Sequence, residues 1–163
     1  MRYAQLRCMD ISDGDGIGVS FWVQGCPYHC PGCHNESTWD FDGGMEYDDK
    51  VEADLVKCLQ EPHVSFFSVL GGEPLCASNL ALTKRVIEVA RKTRPDITVY
   101  VWSGATYEHL MKNDAVRDVL SMCDILIDGP YVESQRDIML HLRGSRNQRV
   151  IDLHTGKVMT DPK

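Results

Sequence analysis

Val19-Ser20-Phe21-Trp22-Val23-Gln24-Gly25-Cys26-Pro27-Tyr28-His29-Cys30-Pro31-Gly32-Cys33-His34-Asn35 is the stretch on which the fold turns. Residues 19–23 are β-branched and aromatic and stop at Gly25, the pattern of a buried strand. The loop that follows carries three cysteines within eight residues, spaced CxxxCxxC and bent by proline and glycine. Such a loop presents three thiolates to one centre. A [4Fe-4S] cube ordinarily takes four cysteine thiolates, so a cube held by Cys26, Cys30 and Cys33 keeps one iron for a non-protein ligand. The loop sits at the C-terminal end of its strand, the edge where α/β sheets carry ligands.

The same punctuation recurs downstream. Residues 63–70 form a nearly continuous apolar run that ends in Gly71-Gly72-Glu73-Pro74. The glycines let backbone approach a ligand, and Pro74 biases Glu73 toward an extended conformation. Residues 97–102 predict a third strand ending in Ser103-Gly104, and residues 123–127 a fourth ending in Asp128-Gly129-Pro130. Between them lie helical patterns: one starting near Asp48 or Asp49 with Val51, Leu55 and Leu59 inward, one capped by Ser78 or Asn79 with Leu82, Val86 and Val89 inward, and one or two over residues 106–122, broken at Asn113-Asp114. Strand alternating with helix predicts an α/β domain with a mostly parallel sheet and right-handed crossovers. The units are too few for a closed eight-stranded barrel. Residues 3–9 read as a short edge strand, 10–18 as a solvated acidic loop, and 150–159 as a terminal hairpin turning at Thr155-Gly156.

At 163 residues the chain suits one domain over 1–163. Its net charge of −7 argues against nonspecific attraction to nucleic acid or anionic membrane. Residues 1–10 lack the apolar run of a signal peptide, no stretch is long enough to span a membrane, and a cytoplasmic location is expected. Seven cysteines, three of them clustered, point to metal binding rather than a disulfide framework. Cys8, Cys58, Cys76 and Cys123 read as small buried hydrophobes. The eight acidic groups over residues 36–54 read mainly as helix capping.

CxxxCxxC in a loop after a strand resembles the radical S-adenosylmethionine (radical SAM) superfamily. Cys33-His34-Asn35 followed by Ser37-Thr38-Trp39 narrows the resemblance to activases of glycyl-radical enzymes, and the short chain to those acting on anaerobic ribonucleotide reductase. The resemblance implies a small, incomplete (β/α) barrel. It also implies a [4Fe-4S] cluster on Cys26, Cys30 and Cys33, the residues on which catalysis depends, with S-adenosylmethionine chelating the free iron. Reductive cleavage of that cofactor would give methionine and a 5'-deoxyadenosyl radical, which takes a Cα hydrogen from one glycine of the large reductase subunit. By the same resemblance Gly71, Gly72 and Glu73 line the methionine amino end and Ser103 the ribose. Many superfamily members carry an aromatic residue just before the last cysteine; here Gly32 stands there, which leaves adenine contacts to the backbone of Gly32, Cys33 and His34. His29 and His34 read as packing residues.

Asp13-Gly14-Asp15-Gly16 resembles the Asp-Gly-Pro-Gly of these activases, with Asp15 in place of proline. Residues 142–149 resemble a stretch near the C-terminus of the reductase activases. Val101-Trp102-Ser103-Gly104 lacks the acidic residue of pyruvate formate-lyase activases. Expected partners are the large reductase subunit and a small electron donor such as flavodoxin, met by Arg136, Arg143, Arg146 and Arg149. Asp128 reads equally as a turn former or a site wall. The alternatives are an activase of another glycyl-radical enzyme or a small synthase of the 7-carboxy-7-deazaguanine type. Outside the class stand an electron carrier and a zinc module recruiting His29 or His34; neither explains Gly71-Gly72-Glu73-Pro74.

Overall fold

A computed structural model describes residues 1–159; the last four residues of the span expected to form one domain lie outside the described residues. Eight strands form one mixed sheet: β1 (Arg2–Asp10), β2 (Gly18–Val23), β3 (Met45–Glu46), β4 (Phe66–Gly71), β5 (Thr98–Trp102), β6 (Ile125–Asp128), β7 (Arg149–Asp152) and β8 (Lys157–Val158). Their spatial order is β3-β1-β2-β4-β5-β6-β7-β8. The central four, β2, β4, β5 and β6, run parallel. Antiparallel pairs flank them on both sides, so the sheet is mixed where a mostly parallel one was expected. The difference lies at the edges: β1 returns into β2 through a connection too short for a parallel crossover, and the C-terminal hairpin pairs antiparallel onto β6 after the long loop that follows that strand.

Three helical crossovers join the parallel strands: α1 (Asp49–Leu59), α2 (Leu80–Thr93), and the pair α3 (Tyr107–Leu110) and α4 (Asp114–Leu120). Asp48 caps α1 through its side chain, and Asn113 separates α3 from α4 by capping the latter, which resolves the break expected there into two helices. On α2 the buried stripe is Leu82, Val86, Ile87 and Ala90, with Val89 only half-buried. Each fully buried aliphatic side chain contributes about 1.5–3 kcal/mol.

Strand alternation divides the sheet into two unlike faces. Val19, Phe21, Val23, Phe67, Val69, Val99, Val101 and Leu126 point to the helices and form the main core. Phe66, Tyr100, Ile127 and Val150 point the other way and form a smaller cluster with Trp102 and Leu142 packed on it. Among the described residues no α-helix covers this second face; two loops do.

The first is the acidic segment between β1 and β2, which is strapped to the sheet while Ile11, Ser12, Asp15 and Gly16 stay exposed as expected. Ser68 Oγ donates to the carbonyl of Asp13 (2.5 Å), Ser65 Oγ to that of Asp15 (3.0 Å), and Ser20 Oγ to the buried Asp10 carboxylate (2.6 Å). Serines on the sheet's open face supply donors that an apolar strand would lack. The second is the loop following β6, where Trp102 Nε1 donates to the carbonyl of Leu142 (3.0 Å).

Cys8 and Cys58 depart from the expected role of buried hydrophobes: they form a disulfide, Cα atoms 5.2 Å apart, that joins β1 to α1, and Cys8 is exposed. Fifty residues separate them in sequence, and only the packing of α1 under β1 brings them together. Cys123 fits the expectation; it is buried, and burial pushes its thiol up to about 12. Among the described residues no helix is long and apolar enough to cross a membrane.

Candidate functional site

The C-terminal ends of β2, β4 and β5 meet at one place and are tied together there. Glu73 N donates to the carbonyl of Gly25 (2.8 Å) and Gly72 N to that of Val23 (3.0 Å), so the cysteine loop and the Gly-Gly-Glu-Pro loop share backbone hydrogen bonds. Gly72 cannot be otherwise: a Cβ there would stand 2.2 Å from the Gly25 carbonyl oxygen. Asn79 stands at the N-cap position of α2 as expected, but its buried side chain makes no capping bond and serves as a strut, donating to the carbonyls of Gly25 and Glu73 (both 3.0 Å).

Glu73 is buried, and its carboxylate accepts from Ser103 Oγ (2.6 Å), Gly104 N (2.8 Å) and Leu75 N (3.3 Å). Burial pushes this carboxyl up to about 7, against the lowering effect of those donors. Its side chain therefore bridges the β4 and β5 loops.

These loops enclose a cavity of about 330 Å³, within the range of small-molecule sites. Cys26, Cys30, Cys33 and His34 line one wall; Gly71, Gly72, Glu73 and Ser103 line another. Of the residues expected to hold the cluster or its cofactor, Gly32 alone falls outside the lining: a Cβ there would stand 2.1 Å from Glu133 Oε2.

Several lining residues were not assigned to the cavity from the sequence. Asp13 reaches the cavity because the β1–β2 loop is strapped across the sheet's open face, and burial together with a hydrogen bond shared with Asp10 pushes its carboxyl up to about 7. The Asp-Gly-x-Gly spacing was the available clue. Trp22 and Trp102 come from the sheet's second face; alternate positions along strands whose other face is apolar identify them. Tyr131, Leu142, Gly144 and Gln148 close the far side.

Residues 142–149, singled out by resemblance, form this last wall as a turn bonded to itself. Gln148 Oε1 accepts from the backbone N–H groups of Gly144 (2.9 Å) and Ser145 (3.1 Å), and Gln148 Nε2 donates to the carbonyl of Gly129 (3.0 Å). Arg149 is engaged within the fold. It pairs with buried Asp128, Nε to Oδ1 3.1 Å, and with Glu108 (2.7 and 2.9 Å), which also assigns Asp128 a structural role; its Oδ2 accepts from Tyr107 N (2.7 Å). Arg143 donates to the carbonyls of His141 and Gln148, whereas Arg136 and Arg146 stay exposed.

Four observations test whether the cysteine wall suits an iron–sulfur cube. Cys26, Cys30 and Cys33 are all free and half-buried. Burial pushes the Cys26 thiol up, but the backbone N–H groups of Tyr28 and His29 act against this, as N–H groups gathered about a thiolate should. The turn that aims them needs His29 at φ 46°. Among the described residues no three His, Cys, Asp or Glu side chains gather tightly enough for one metal ion; a cube instead takes each thiolate on a separate iron. Finally, Trp39 Nε1 is the one buried side-chain polar atom among the described residues that has no partner, and Trp39 lines this cavity. The donor set fits a cube. Neither histidine is placed as a ligand: His29 stacks on Trp39 with centroids 4.5 Å apart, and His34 meets Tyr131 edge-on at 5.5 Å.

Comparison with known proteins agrees with this chemistry. The family described as "4Fe-4S single cluster domain" matches residues 12–151, so the class is that of single-cluster iron–sulfur proteins. The anaerobic ribonucleoside-triphosphate reductase-activating protein of Pasteurella multocida is 33% identical over 91% of this chain and 95% of its own length. Those of Vibrio cholerae and Escherichia coli are 31% and 32% identical over 91% and 92% of this chain, and 96% and 97% of theirs. The chain belongs to the family of anaerobic ribonucleoside-triphosphate reductase-activating proteins.

Proposed function

We propose that this protein is a radical SAM enzyme that activates an anaerobic ribonucleotide reductase by generating a glycyl radical on its large subunit. Cys26, Cys30 and Cys33 hold the [4Fe-4S] cluster, and the cavity beside them takes S-adenosylmethionine. Bound together, the two groups supply reductive cleavage of the sulfonium and abstraction of a glycine Cα hydrogen. The single observation that carries the reading is the joining of the cysteine loop to the Gly71-Gly72-Glu73 loop through Glu73 N and Gly25 O, on the wall of one nucleoside-sized cavity.

The chain's own residues position the cofactor. Gly71 has φ 108°, and a Cβ there would press on the backbone of Val23, so glycine keeps this loop close to β2 on the wall proposed for the amino acid moiety. Glu73 fixes the direction of this loop from behind through Ser103 and Gly104. The backbone of Cys33 and His34 lies opposite, on the side proposed for adenine, and Gly32 allows the turn at φ 78°. Trp22, Trp102 and Leu142 provide an apolar lining that excludes water and stray hydrogen donors from a reactive carbon.

In this reading the one domain is an incomplete barrel whose open side admits a glycine loop of the large reductase subunit. A small reduced protein such as flavodoxin delivers the electron, and the location is cytoplasmic. The test is anaerobic reconstitution. About four irons per chain, 5'-deoxyadenosine formed on reduction with S-adenosylmethionine present, and a glycyl-radical doublet by electron paramagnetic resonance when the reductase is added would support it. One zinc per chain, or a reduced cluster that leaves S-adenosylmethionine intact, would end it.

A further inference from the structure

Trp39 is placed with more care than packing alone requires. Its carbonyl oxygen accepts the backbone N–H of Cys26 (3.1 Å), which fixes it beside the first cysteine. Its ring lies flat on His29, 4.5 Å between centroids and 9° between planes. It lines the cavity that Cys26, Cys30 and Cys33 line, yet its Nε1 is buried without an acceptor. The other two indoles are satisfied, Trp22 by Ser20 Oγ and Trp102 by the Leu142 carbonyl, each at 3.0 Å. An unpaired buried donor is costly and rare in folded proteins. A donor held this firmly therefore implies an acceptor that the polypeptide does not supply.

The chemistry beside it offers one kind of acceptor. Three cysteine sulfurs share this wall, and a cube adds inorganic sulfides. We infer that the Trp39 indole N–H donates a hydrogen bond to a sulfur of the cluster and so favours its reduced form. This rests on the cluster reading above. Reduction adds negative charge that spreads over the sulfurs, and a fixed donor interacts more strongly with the more negative state. The His29 stack holds the indole in its plane, so the N–H cannot turn away when the cluster is oxidised. Asn35 N, which donates to Cys33 Sγ at 3.4 Å, acts in the same sense from the backbone. Trp39 is thus a tuning residue that acts through the cluster and does not touch the substrate.

The experiment compares anaerobically reconstituted wild type with Trp39→Phe, which keeps a flat aromatic ring against His29 and removes the N–H together with part of the bicycle. In potentiometric titration with dithionite, the ratio of reduced to oxidised cluster at the wild-type midpoint should fall roughly three- to tenfold in the variant, the worth of one ordinary hydrogen bond. Pulsed electron–nuclear double resonance of the reduced wild type should show an exchangeable proton coupling, lost in deuterium oxide and in Trp39→Phe. An unchanged ratio together with an unchanged coupling overturns the inference. If the variant fails to keep its cluster, wild type carrying indole-¹⁵N tryptophan decides: a nitrogen coupling supports the inference and its absence refutes it. A wild type that binds four irons yet shows neither coupling refutes the tuning role alone; one that binds none sinks the cluster reading and this inference with it.

Discussion

The carboxylate of Glu73 accepts a hydrogen bond from the hydroxyl of Ser103 at 2.6 Å, and through it the end of β4 is tied to the end of β5. Two loops that arise 30 residues apart are thereby made one wall. Ser103 Oγ also accepts from Ala105 N (3.1 Å), so the bridge continues toward α3.

Because burial pushes Glu73 up to about 7 in the folded protein from an ordinary value of 4.5, the folded state binds more protons than the unfolded state between those values. Stability contributed by this group is full below about pH 4.5 and is lost as pH rises through 7. Urea unfolding of cluster-free wild type and Glu73→Gln between pH 5 and 8 measures this. The advantage of wild type should shrink by roughly 2–3 kcal/mol across that range; a constant difference would show that Glu73 ionises as an exposed carboxylate does.

Gly72→Ala should drive the cysteine loop and the Gly-Gly-Glu-Pro loop apart, since the added methyl would stand 2.2 Å from the Gly25 carbonyl oxygen. Overpacking of this kind costs about 1–3 kcal/mol. We expect iron retained after anaerobic reconstitution to drop several-fold while the circular dichroism of the fold persists. Full iron loading in Gly72→Ala would mean that the two loops do not depend on each other.

Arg149 is held by Asp128 and Glu108, and Asp128 is buried. Removing the guanidinium strands a buried carboxylate, so Arg149→Met should destabilise the protein by about 3 kcal/mol. Arg146 is exposed, and Arg146→Met should change stability by less than about 0.5 kcal/mol. Thermal unfolding that ranks the two variants equally would remove the structural role from Arg149.

The Cys8–Cys58 disulfide closes a segment of 50 residues and is expected to stabilise by about 2–4 kcal/mol relative to the reduced chain. Thiol alkylation without reductant, read by mass spectrometry, should label Cys26, Cys30, Cys33, Cys76 and Cys123 in unfolded, cluster-free protein and spare the other two. Dithiothreitol should lower the urea midpoint of wild type to that of Cys8→Ser. Seven labelled cysteines without reductant would contradict the bridge.

Much of the fold was legible along the chain because its signals are local. The apolar runs that became β2, β4, β5 and β6 each stop at a glycine or a small polar residue, and the caps at Asp48 and Asn113 stand where side-chain chemistry requires them. The cysteine spacing and the Gly71-Gly72-Glu73-Pro74 run identified two walls of the cavity. Asn79 shows the limit: its residue type announced a cap, but nothing local says that its amide would find the carbonyls of Gly25 and Glu73 instead.

The sequence by itself determined which residues end the parallel strands and which three thiols share a loop, since both follow from spacing over a few residues. Only the tertiary structure decided what faces them. The strapping of Asp13 across the sheet, the pairing of Arg149 with Asp128, the bridge between Cys8 and Cys58 and the solitary indole of Trp39 all depend on contacts between distant segments. Such contacts arise when strand alternation and helix packing fix the distances between segments, and no periodicity along the chain encodes them.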